Sequence, residues 1–346
     1  MLKPYIAKAM NRQNLTDQEA EAAMEIIMTG QATSAQIGGY LVALRMKGET
    51  IDEIAGSARA MRTQSSQVHL HVNGDHVLDT AGTGGDGAHT FNISTAAAFV
   101  VAGAGRKVAK HGNRAASSKC GSADVLAALG VNLDLTPEQV AGCIEQVGMG
   151  FIFAPKFPPA MKHAIGPRRE LGQRTIFNLL GPLTNPAGAT HQLIGVYDPG
   201  LTSAIAQVLG DLGGKAAFVV HGYGGLDELT TNGPNQVSSL RNGDVVSFIL
   251  NASDLGLRRV NPADLVGGEP PENAHLLKRL LENQDDSPRR DVVLLNAAAA
   301  LATEDGDFEG ALRLAENSLS SGAAQSKLKE LVAYSQAMAL QSAYVQ

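Results

Sequence analysis

A glycine-rich segment, residues 79–87 with the sequence Asp-Thr-Ala-Gly-Thr-Gly-Gly-Asp-Gly, is the strongest candidate for chemistry in this chain. It follows a predicted strand at 76–79 and precedes a predicted helix that starts near Asn92. Glycines let backbone N–H groups approach a ligand because no Cβ obstructs them, and a helix N-terminus adds unpaired donors and partial positive charge. The segment therefore predicts a phosphate-binding loop, with a tight turn and an ordinary helix cap as the alternative.

A second polar segment follows the next predicted strand, 107–110, and runs Lys110-His-Gly-Asn-Arg114 before a group of serines that includes Ser117, Ser118 and Ser122. In an open parallel sheet the carboxyl ends of adjacent strands line one crevice, so this segment would face the glycine loop across a ligand. Its cations and hydroxyls offer donors for several phosphate oxygens. A solvated basic loop is the alternative, and occurrence on successive strands favours a site.

Asp227 and Glu228 follow the predicted strand at 216–220. Adjacent carboxylates repel each other and usually mark a solvated turn, but a Mg²⁺ ion that bridges phosphates takes one or two carboxylates. Arg168 lies in a predicted helical stretch, where it is either a surface residue beside Glu170 or an arginine whose planar guanidinium binds a substrate carboxylate. Spacing alone leaves these alternatives open. The nine histidines show no metal-ligand spacing, which favours surface or core roles for most of them.

Composition limits the classes of function. The 346 residues allow two domains, and the net charge of −6 argues against nucleic acid as a general partner. The longest apolar stretch, 96–105, is about half of the roughly 20 residues that a membrane span requires, so no membrane association is expected. Two cysteines are too few for a disulfide framework, and a cytoplasmic location is expected.

The elements that position these residues follow from helix caps and apolar runs. Capping boxes begin at Thr16 and Thr50, so the first 65 residues are predicted to be a helical bundle. From His76 onward, short apolar runs alternate with helical ones, which indicates a parallel sheet covered by helices. A helical excursion over 158–180 interrupts this alternation and could rejoin the bundle. Strands at 237–240 and 245–250 are predicted to form a hairpin through an Asn-Gly turn of type I′.

The motifs taken together resemble the anthranilate phosphoribosyltransferase family, and the resemblance covers nearly the whole chain. The matching segments are Gly82-Thr-Gly-Gly-Asp86, Asn92-Ile-Ser-Thr95, Lys110-His-Gly-Asn-Arg114, Gly121-Ser-Ala-Asp124, Gly181-Pro-Leu-Thr-Asn-Pro186 and Gly225-Leu-Asp-Glu228. The resemblance implies an α/β class fold: a small all-helical domain plus a larger α/β domain with a mostly parallel central sheet covered by helices. The implied helical domain, also the implied dimer interface, comprises 1–70 with 160–187, and the α/β domain comprises 71–159 with 188–346.

The resemblance also implies the reaction and its partners. The 5-phosphoribosyl group would pass from phosphoribosyl pyrophosphate to the amine of anthranilate, giving N-(5-phosphoribosyl)anthranilate and pyrophosphate, a step of tryptophan synthesis. Mg²⁺ would be the cofactor, the enzyme would be a homodimer, and neither nucleic acid nor membrane would be a partner. The rivals are a pyrimidine nucleoside phosphorylase and a nucleic-acid-binding paralogue without chemistry.

The family's functional residues are carried over position by position, and none is assigned as an acid or base. Anthranilate would contact Gly82, Asn113 and Arg168, and Mg²⁺ would contact Ser94, Asp227 and Glu228. The sugar donor would contact a larger set: Gly82, Gly85, Asp86, Thr90, Asn92, Ile93, Ser94, Thr95, Lys110, His111, Gly112, Asn113, Arg114, Ala115, Ala116, Ser117, Ser118 and Ser122.

Overall fold

The computed structural model describes residues 1–71, 76–115, 118–157 and 162–344. Within those ranges, a layer of helices packs beside a seven-stranded sheet. The α-helices there are α1 (Lys3–Met10), α2 (Asp17–Met28), α3 (Ser34–Lys47), α4 (Ile51–Gln64), α5 (Ile93–Gly103), α6 (Ser122–Ala128), α7 (Pro137–Gly142), α8 (Lys162–Leu171), α9 (Phe177–Leu183), α10 (Leu201–Asp211), α11 (Pro270–Leu281), α12 (Pro288–Leu301), α13 (Phe308–Ser320) and α14 (Ala323–Tyr344). The strands are β1 (Val77–Gly82), β2 (Lys107–Gly112), β3 (Met149–Phe153), β4 (His191–Gly195), β5 (Ala216–His221), β6 (Asn235–Arg241) and β7 (Asp244–Leu250).

The N-terminal helices begin where the sequence predicts them. The Thr16 hydroxyl accepts the Glu19 N–H while the Glu19 carboxylate accepts the Thr16 N–H, and the same reciprocal pair recurs at Thr50 and Glu53. Each capping box satisfies two donors that would otherwise lack partners at a helix start. A further capping box begins α3 at Thr33. These local bonds explain why the N-terminal helices could be predicted from the sequence.

The sheet has the strand order β3-β2-β1-β4-β5-β6-β7. The first five strands run parallel, and β6 and β7 pair antiparallel at one edge. The mostly parallel sheet expected from sequence is therefore confirmed. Along the chain, β1 to β3 extend the sheet in one direction and β4 to β7 in the other, so the order reverses between β1 and β4. Such a switch point opens a crevice outside the carboxyl ends of the strands.

The predicted hairpin between β6 and β7 is confirmed. Arg241 pairs with Asp244, and the two residues between them have φ values of 54° at Asn242 and 86° at Gly243. Two positive φ angles are the signature of a type I′ turn, which only asparagine and glycine adopt readily. This hairpin completes the sheet on the side away from β3.

Two hydrophobic clusters lie on opposite faces of the sheet. Leu193 packs with α5 and α12 in one cluster, and its neighbour Ile194 packs with α10 in the other, since successive strand residues point to opposite faces. The second cluster also contains apolar residues of α1 to α4, α8 and α9. Residues 162–180 of the helical excursion thus rejoin the N-terminal bundle, whereas residues 158–161 lie outside the described ranges and the domain bounds stay a prediction. Within the described ranges, no helix is both long and apolar enough to cross a bilayer.

Candidate active site

The loops that the sequence singled out meet at the carboxyl ends of the central strands. The glycine loop leaves β1 at Gly82, the second polar loop leaves the adjacent β2 at Gly112, and the segment with Asp227 leaves β5. Because β1 and β4 flank the switch point, all three loops border the crevice. The expectation that the first two loops follow neighbouring parallel strands is confirmed.

The glycine loop is tied directly to the carboxylate segment. Gly84 donates its N–H to the Asp227 Oδ2 atom at 2.6 Å, and Asp86 accepts the Asp227 N–H at 3.4 Å. Asp86 also accepts the Ala88 N–H at 3.0 Å, which tightens its own turn. Gly84 and Gly85 have φ values of 66° and 78°, a region that side chains with a Cβ rarely adopt. Glycine is therefore required here for backbone shape.

Three glycines at strand ends let the carboxylate segment approach the sheet. A Cβ at Gly82 would lie 2.4 Å from the Asp227 Oδ2 atom, and one at Gly195 would lie 1.5 Å from the Asp227 carbonyl oxygen. A Cβ at Gly222 would lie 2.1 Å from the Glu228 carbonyl oxygen. The ends of β1, β4 and β5 thus fix both acidic residues against the crevice.

The carboxyl groups of this segment are held in a low-dielectric, acidic setting. Burial, followed by the nearby charges of Glu228 and Asp86, raises the pKa of Asp227 well above its usual value. Burial raises the pKa of Glu228 to about 7, against the lowering effect of Lys110 and Ser94. Three carboxylates that converge in this way repel one another unless a cation joins them. Oxygen ligands of this kind suit Mg²⁺, so the residues fit the expected ion.

Lys110 connects the predicted donor-binding residues with the predicted Mg²⁺ ligands. It is 2 % exposed, and its ammonium group donates to the Thr80 carbonyl oxygen and to the Ser94 hydroxyl, the latter at 3.2 Å. The Ser94 N–H in turn donates to Glu228 Oε1 at 3.2 Å. Burial lowers the pKa of Lys110, while the charges of Asp79 and Glu228 oppose that shift. Lys110 therefore orients Ser94 beside Glu228, and its contact with a donor phosphate stays a prediction.

A buried pair beneath the crevice was not found from sequence. Asp79 accepts the His111 N–H at 3.2 Å and the Asn185 side-chain N–H at 2.8 Å. Burial raises the pKa of Asp79 to about 6. Asp79 opens the glycine segment and Asn185 lies in the 181–186 motif, but no local pattern indicates that they bond. Burial also lowers the pKa of His111 to about 4, so this imidazole is neutral near pH 7.

The loop after β2 is shaped by an aspartate of the 121–124 motif, a residue to which the sequence assigned no role. Asp124, in the first turn of α6, accepts from the Arg114 guanidinium at 2.8 Å and from the N–H groups of Ala115 and Gly121 at 2.9 Å. The Asn113 carbonyl oxygen accepts from the Ser122 hydroxyl at 3.3 Å. These bonds fix four residues that are predicted to contact the sugar donor, namely Asn113, Arg114, Ala115 and Ser122. Two others, Ala116 and Ser117, lie outside the described residues.

The start of α5 is held from the C-terminal half of the chain. The Asn92 side chain donates to the Cys120 carbonyl oxygen at 3.1 Å and accepts from Asn273, which is buried, at 3.0 Å. Thr90 forms a bridge with residue 266. The Ile93 and Thr95 side chains are buried in the core, so they would meet a donor through their backbone. Asn273 was not identified from sequence, because it lies 181 residues from its partner.

Two arginines lie on or just after α8, in the helical layer. The Arg168 guanidinium on α8 lies 4.9 Å from the Phe177 ring centroid, and burial lowers its pKa. Its contact with anthranilate stays a prediction. Arg174, missed from sequence, donates to the Gly85 carbonyl oxygen and lies 4.4 Å from the Tyr197 ring centroid. A cavity of about 370 Å³ between α3 and residues 171–175 is lined partly by Arg174, which connects it to the glycine loop.

Comparisons with known proteins agree with this arrangement. Residues 3–65 match the helical bundle domain of the glycosyl transferase family, and residues 74–325 match its a/b domain. The anthranilate phosphoribosyltransferase of Moorella thermoacetica is 55% identical over 336 residues, covering 96% of this chain and 98% of that protein. The corresponding protein of Symbiobacterium thermophilum is 51% identical over 344 residues, covering 99% of this chain and 100% of that protein.

Solved structures are similar over the same length. The crystal structure of anthranilate phosphoribosyltransferase from Thermus thermophilus superposes with a TM-score of 0.91 at 43% identity, covering 96% of this chain and 99% of that one. The Saccharomyces cerevisiae enzyme in complex with PRPP and Mg has a TM-score of 0.90 at 29% identity, with coverage of 97% and 98%. The likeness therefore includes both the helical layer and the sheet.

Proposed function

Because this chain belongs to the glycosyl transferase family with a helical bundle and an α/β domain, we propose that it transfers the 5-phosphoribosyl group from phosphoribosyl pyrophosphate to the amine of anthranilate. The bond between the anomeric carbon and pyrophosphate breaks, a bond to the amine nitrogen forms, and the amine loses a proton. The observation that carries this function is the glycine loop bonded to the Asp227–Glu228 segment at the switch point, in a chain that matches such enzymes almost end to end.

Different residues of the site suit different parts of the sugar donor. The N–H groups of the glycine loop and of the start of α5 suit phosphate oxygens, and Arg114 and the serines near it add charge and hydroxyls. Ser94, Asp227 and Glu228 would hold Mg²⁺, which supplies positive charge against the departing pyrophosphate. Two contacts hold the proposed ligand oxygens in place: Gly84 donates to Asp227, and Lys110 donates to Ser94.

The nucleophile needs alignment more than activation. An aryl amine is already neutral at pH 7, so no strong base is required, and its proton leaves after attack. We propose that Arg168 binds the anthranilate carboxylate through its planar guanidinium, with Gly82 and Asn113 nearby. Correct placement of two reactants lowers a barrier by about 7 to 11 kcal/mol in favourable cases. Closure between the proposed helical part, 1–70 with 160–187, and the proposed α/β part, 71–159 with 188–346, would provide that placement.

The activity is tested by pyrophosphate release with the purified protein. We expect release that requires donor, anthranilate and Mg²⁺ together, with consumption of anthranilate in equal amount. Thymidine or uridine with phosphate should give no base release, which separates this enzyme from a pyrimidine nucleoside phosphorylase. Salt-sensitive DNA binding without turnover would instead support the nucleic-acid-binding alternative and contradict the proposal.

Arg168→Ala tests the anthranilate role. The KM for anthranilate should rise about 50-fold, because a charged bidentate pair is lost, while the donor KM should change little. Arg169→Ala is the matched control, since this neighbouring arginine is exposed. Equal increases in both KM values for Arg168→Ala would contradict the carboxylate role.

We also propose a homodimer formed through the helical layer and a cytoplasmic location. Met10, Val42, Met46 and Ile165 are exposed apolar residues on α1, α3 and α8, helices that pack against each other through α3. Exposed apolar groups on adjacent helices suit a protein interface. Met46→Asp should shift the mass in solution from dimer to monomer, whereas Val246→Asp, on exposed β7, should not. Both cysteines are free and buried, which fits a reducing compartment.

A further inference from the structure

Two asparagine side chains link remote parts of the chain beside the predicted donor-binding loops. Asn92 immediately precedes α5, and Asn273 lies near the start of α11. The Gly268 N–H donates to Asn273 Oδ1 at 2.8 Å, and Asn273 Nδ2 donates to Asn92 Oδ1 at 3.0 Å. Asn92 Nδ2 then donates to the Cys120 carbonyl oxygen at 3.1 Å. We call this series of bonds, from Gly268 through Asn273 and Asn92 to Cys120, the amide relay.

The two ends of the amide relay fix the orientation of both side-chain amides. A backbone N–H can only donate and a backbone carbonyl oxygen can only accept, so Asn273 must turn its oxygen to Gly268 and Asn92 must turn its nitrogen to Cys120. The bond between the two asparagines then has one possible direction. Rotation of either amide by 180° would place two donors or two acceptors against each other. The relay therefore holds the Asn92 amide in one orientation.

Backbone pairing brings the start of α11 close enough for this contact. The Phe91 N–H donates to the Leu265 carbonyl oxygen at 2.8 Å, and the Gly267 N–H donates to the His89 carbonyl oxygen at 2.8 Å. A Cβ at Gly267 would lie 2.9 Å from the Phe91 Cα atom and 3.0 Å from Asn273 Nδ2. A glycine is therefore needed where the segment before α11 approaches the segment before α5.

We propose that Asn273 is a positioning residue for binding of the sugar donor, because it orients the Asn92 amide that is predicted to contact that ligand. The proposal rests on the proposed function, from which the contact of Asn92 with phosphoribosyl pyrophosphate is taken. Asn273 is 2 % exposed, whereas Asn92 is only half-buried at the start of α5, so Asn273 acts through Asn92.

The amide relay also determines which group of Asn92 serves the ligand. The relay uses one Nδ2 hydrogen and one Oδ1 lone pair of Asn92, and an amide has a second of each. Phosphate and pyrophosphate groups present acceptor oxygens, so the second Nδ2 hydrogen is the group that would bind the sugar donor. An amide that is already held in its binding orientation loses less conformational entropy when the ligand arrives. Loss of the Asn273 contact should therefore weaken binding of the sugar donor.

The test is a calorimetric titration of phosphoribosyl pyrophosphate with Mg²⁺ into the full-length protein without anthranilate. Asn273→Leu keeps nearly the same side-chain shape but can neither donate nor accept, so the dissociation constant of the sugar donor should rise about tenfold. In the complete reaction the KM for the sugar donor should rise by the same factor. The KM for anthranilate should stay within about twofold, because its predicted contacts Gly82, Asn113 and Arg168 lie outside the relay.

Ser318→Ala is the matched control for a purely structural effect. The Ser318 side chain is buried, and its hydroxyl donates to the Val100 carbonyl oxygen at 2.7 Å, near the other end of α5. Its removal also breaks a buried bond between α5 and a remote helix. The affinity for the sugar donor should nevertheless stay within about twofold, because the start of α5 is unaltered. Thermal unfolding of each variant reports the loss of stability separately from the loss of affinity.

A double-mutant cycle shows whether Asn273 acts through Asn92. Asn92→Ala alone should weaken binding of the sugar donor at least about tenfold, and adding Asn273→Leu to it should change the affinity by less than about twofold. An equal loss from Asn273→Leu with and without Asn92 would overturn the proposal. Unchanged affinity in a folded Asn273→Leu variant would also overturn it.

Two further results keep the experiment decisive. If Asn273→Leu does not fold, Asn273→Ala takes its place in every comparison, since it removes the same donor and acceptor without adding apolar volume. An unaltered protein that binds the sugar donor but does not transfer phosphoribose to anthranilate would contradict the proposed function alone. The role of Asn273 is measured from binding of the sugar donor, so such a result would leave it standing.

Discussion

Gly195→Ala should show whether activity depends on the position of the Asp227–Glu228 segment, because the variant displaces this segment but keeps both carboxylates. The new Cβ would lie 1.5 Å from the Asp227 carbonyl oxygen and 2.3 Å from the Asp227 carbonyl carbon. Real Cβ atoms essentially never approach closer than 3.0 Å, so the Asp227 backbone must retreat by about 1.5 Å. The backbone is held on both sides, since the Gly222 N–H donates to the Leu226 carbonyl oxygen at 2.8 Å and the Leu229 N–H donates to the Asn296 side chain at 3.0 Å. The displacement therefore moves both carboxylates relative to the glycine loop.

The expected loss follows from that displacement. A misplacement of about 1 Å in a positioned site costs about 100-fold in rate, so kcat/KM should fall at least about 100-fold. The Mg²⁺ concentration for half-maximal rate should rise as well, because Asp227 and Glu228, the proposed Mg²⁺ ligands, would be displaced. Initial rates of pyrophosphate release, measured across a Mg²⁺ titration, give both quantities. Thermal unfolding reports whether the variant is folded.

Two other glycine substitutions make the experiment decisive. Gly39→Ala on α3 is the matched control, since a Cβ there meets no atom within 4 Å, and its activity should stay within about twofold. Gly82→Ala would place its Cβ 2.4 Å from the Asp227 Oδ2 atom, a side-chain contact that gives way more easily than backbone. It should raise the Mg²⁺ requirement even if Gly195→Ala does not fold. A folded Gly195→Ala variant with unchanged kcat/KM and Mg²⁺ dependence would refute the reasoning.

Mg²⁺ binding should depend on pH, because burial raises the pKa of Glu228, a proposed Mg²⁺ ligand, to about 7 and a ligating carboxylate must be deprotonated. Apparent Mg²⁺ affinity should therefore rise about tenfold from pH 6 to pH 8, and a flat profile would contradict this assignment. Arg174→Ala removes the donor to the Gly85 carbonyl oxygen, so the donor KM should rise about tenfold; an unchanged donor KM would exclude a positioning role. Asn185→Ala leaves one buried Asp79 oxygen without its 2.8 Å partner, which should lower the free energy of unfolding by about 2 kcal/mol in urea titrations. A change below about 0.5 kcal/mol would show that water replaces the amide.

The site was only partly predictable from the sequence. The glycine loop, Lys110 and the Asp227–Glu228 pair were recognised because each is a contiguous motif beside an apolar run. Asn273 and Arg174 were not, since each acts on a residue far away in the chain, 181 and 89 positions from its partner. No short-range pattern encodes such a contact. Both residues hold another residue of the site in place, and a contiguous motif does not contain contacts of this kind.

Local interactions explain what the sequence by itself determined. Capping at Thr16 and the type I′ turn at Asn242 depend on neighbours within a few residues, so residue type and spacing were sufficient.

Tertiary structure alone decided the strand order, and with it which carboxylates and imidazoles lie together. The raised pKa of Glu228 depends on burial by segments remote in sequence, and His76 stacks on His191 only because β1 and β4 are adjacent. Burial and Coulomb interactions depend on distance in space, and that distance is set when elements far apart in the chain, such as β1 and β4, pair in the sheet.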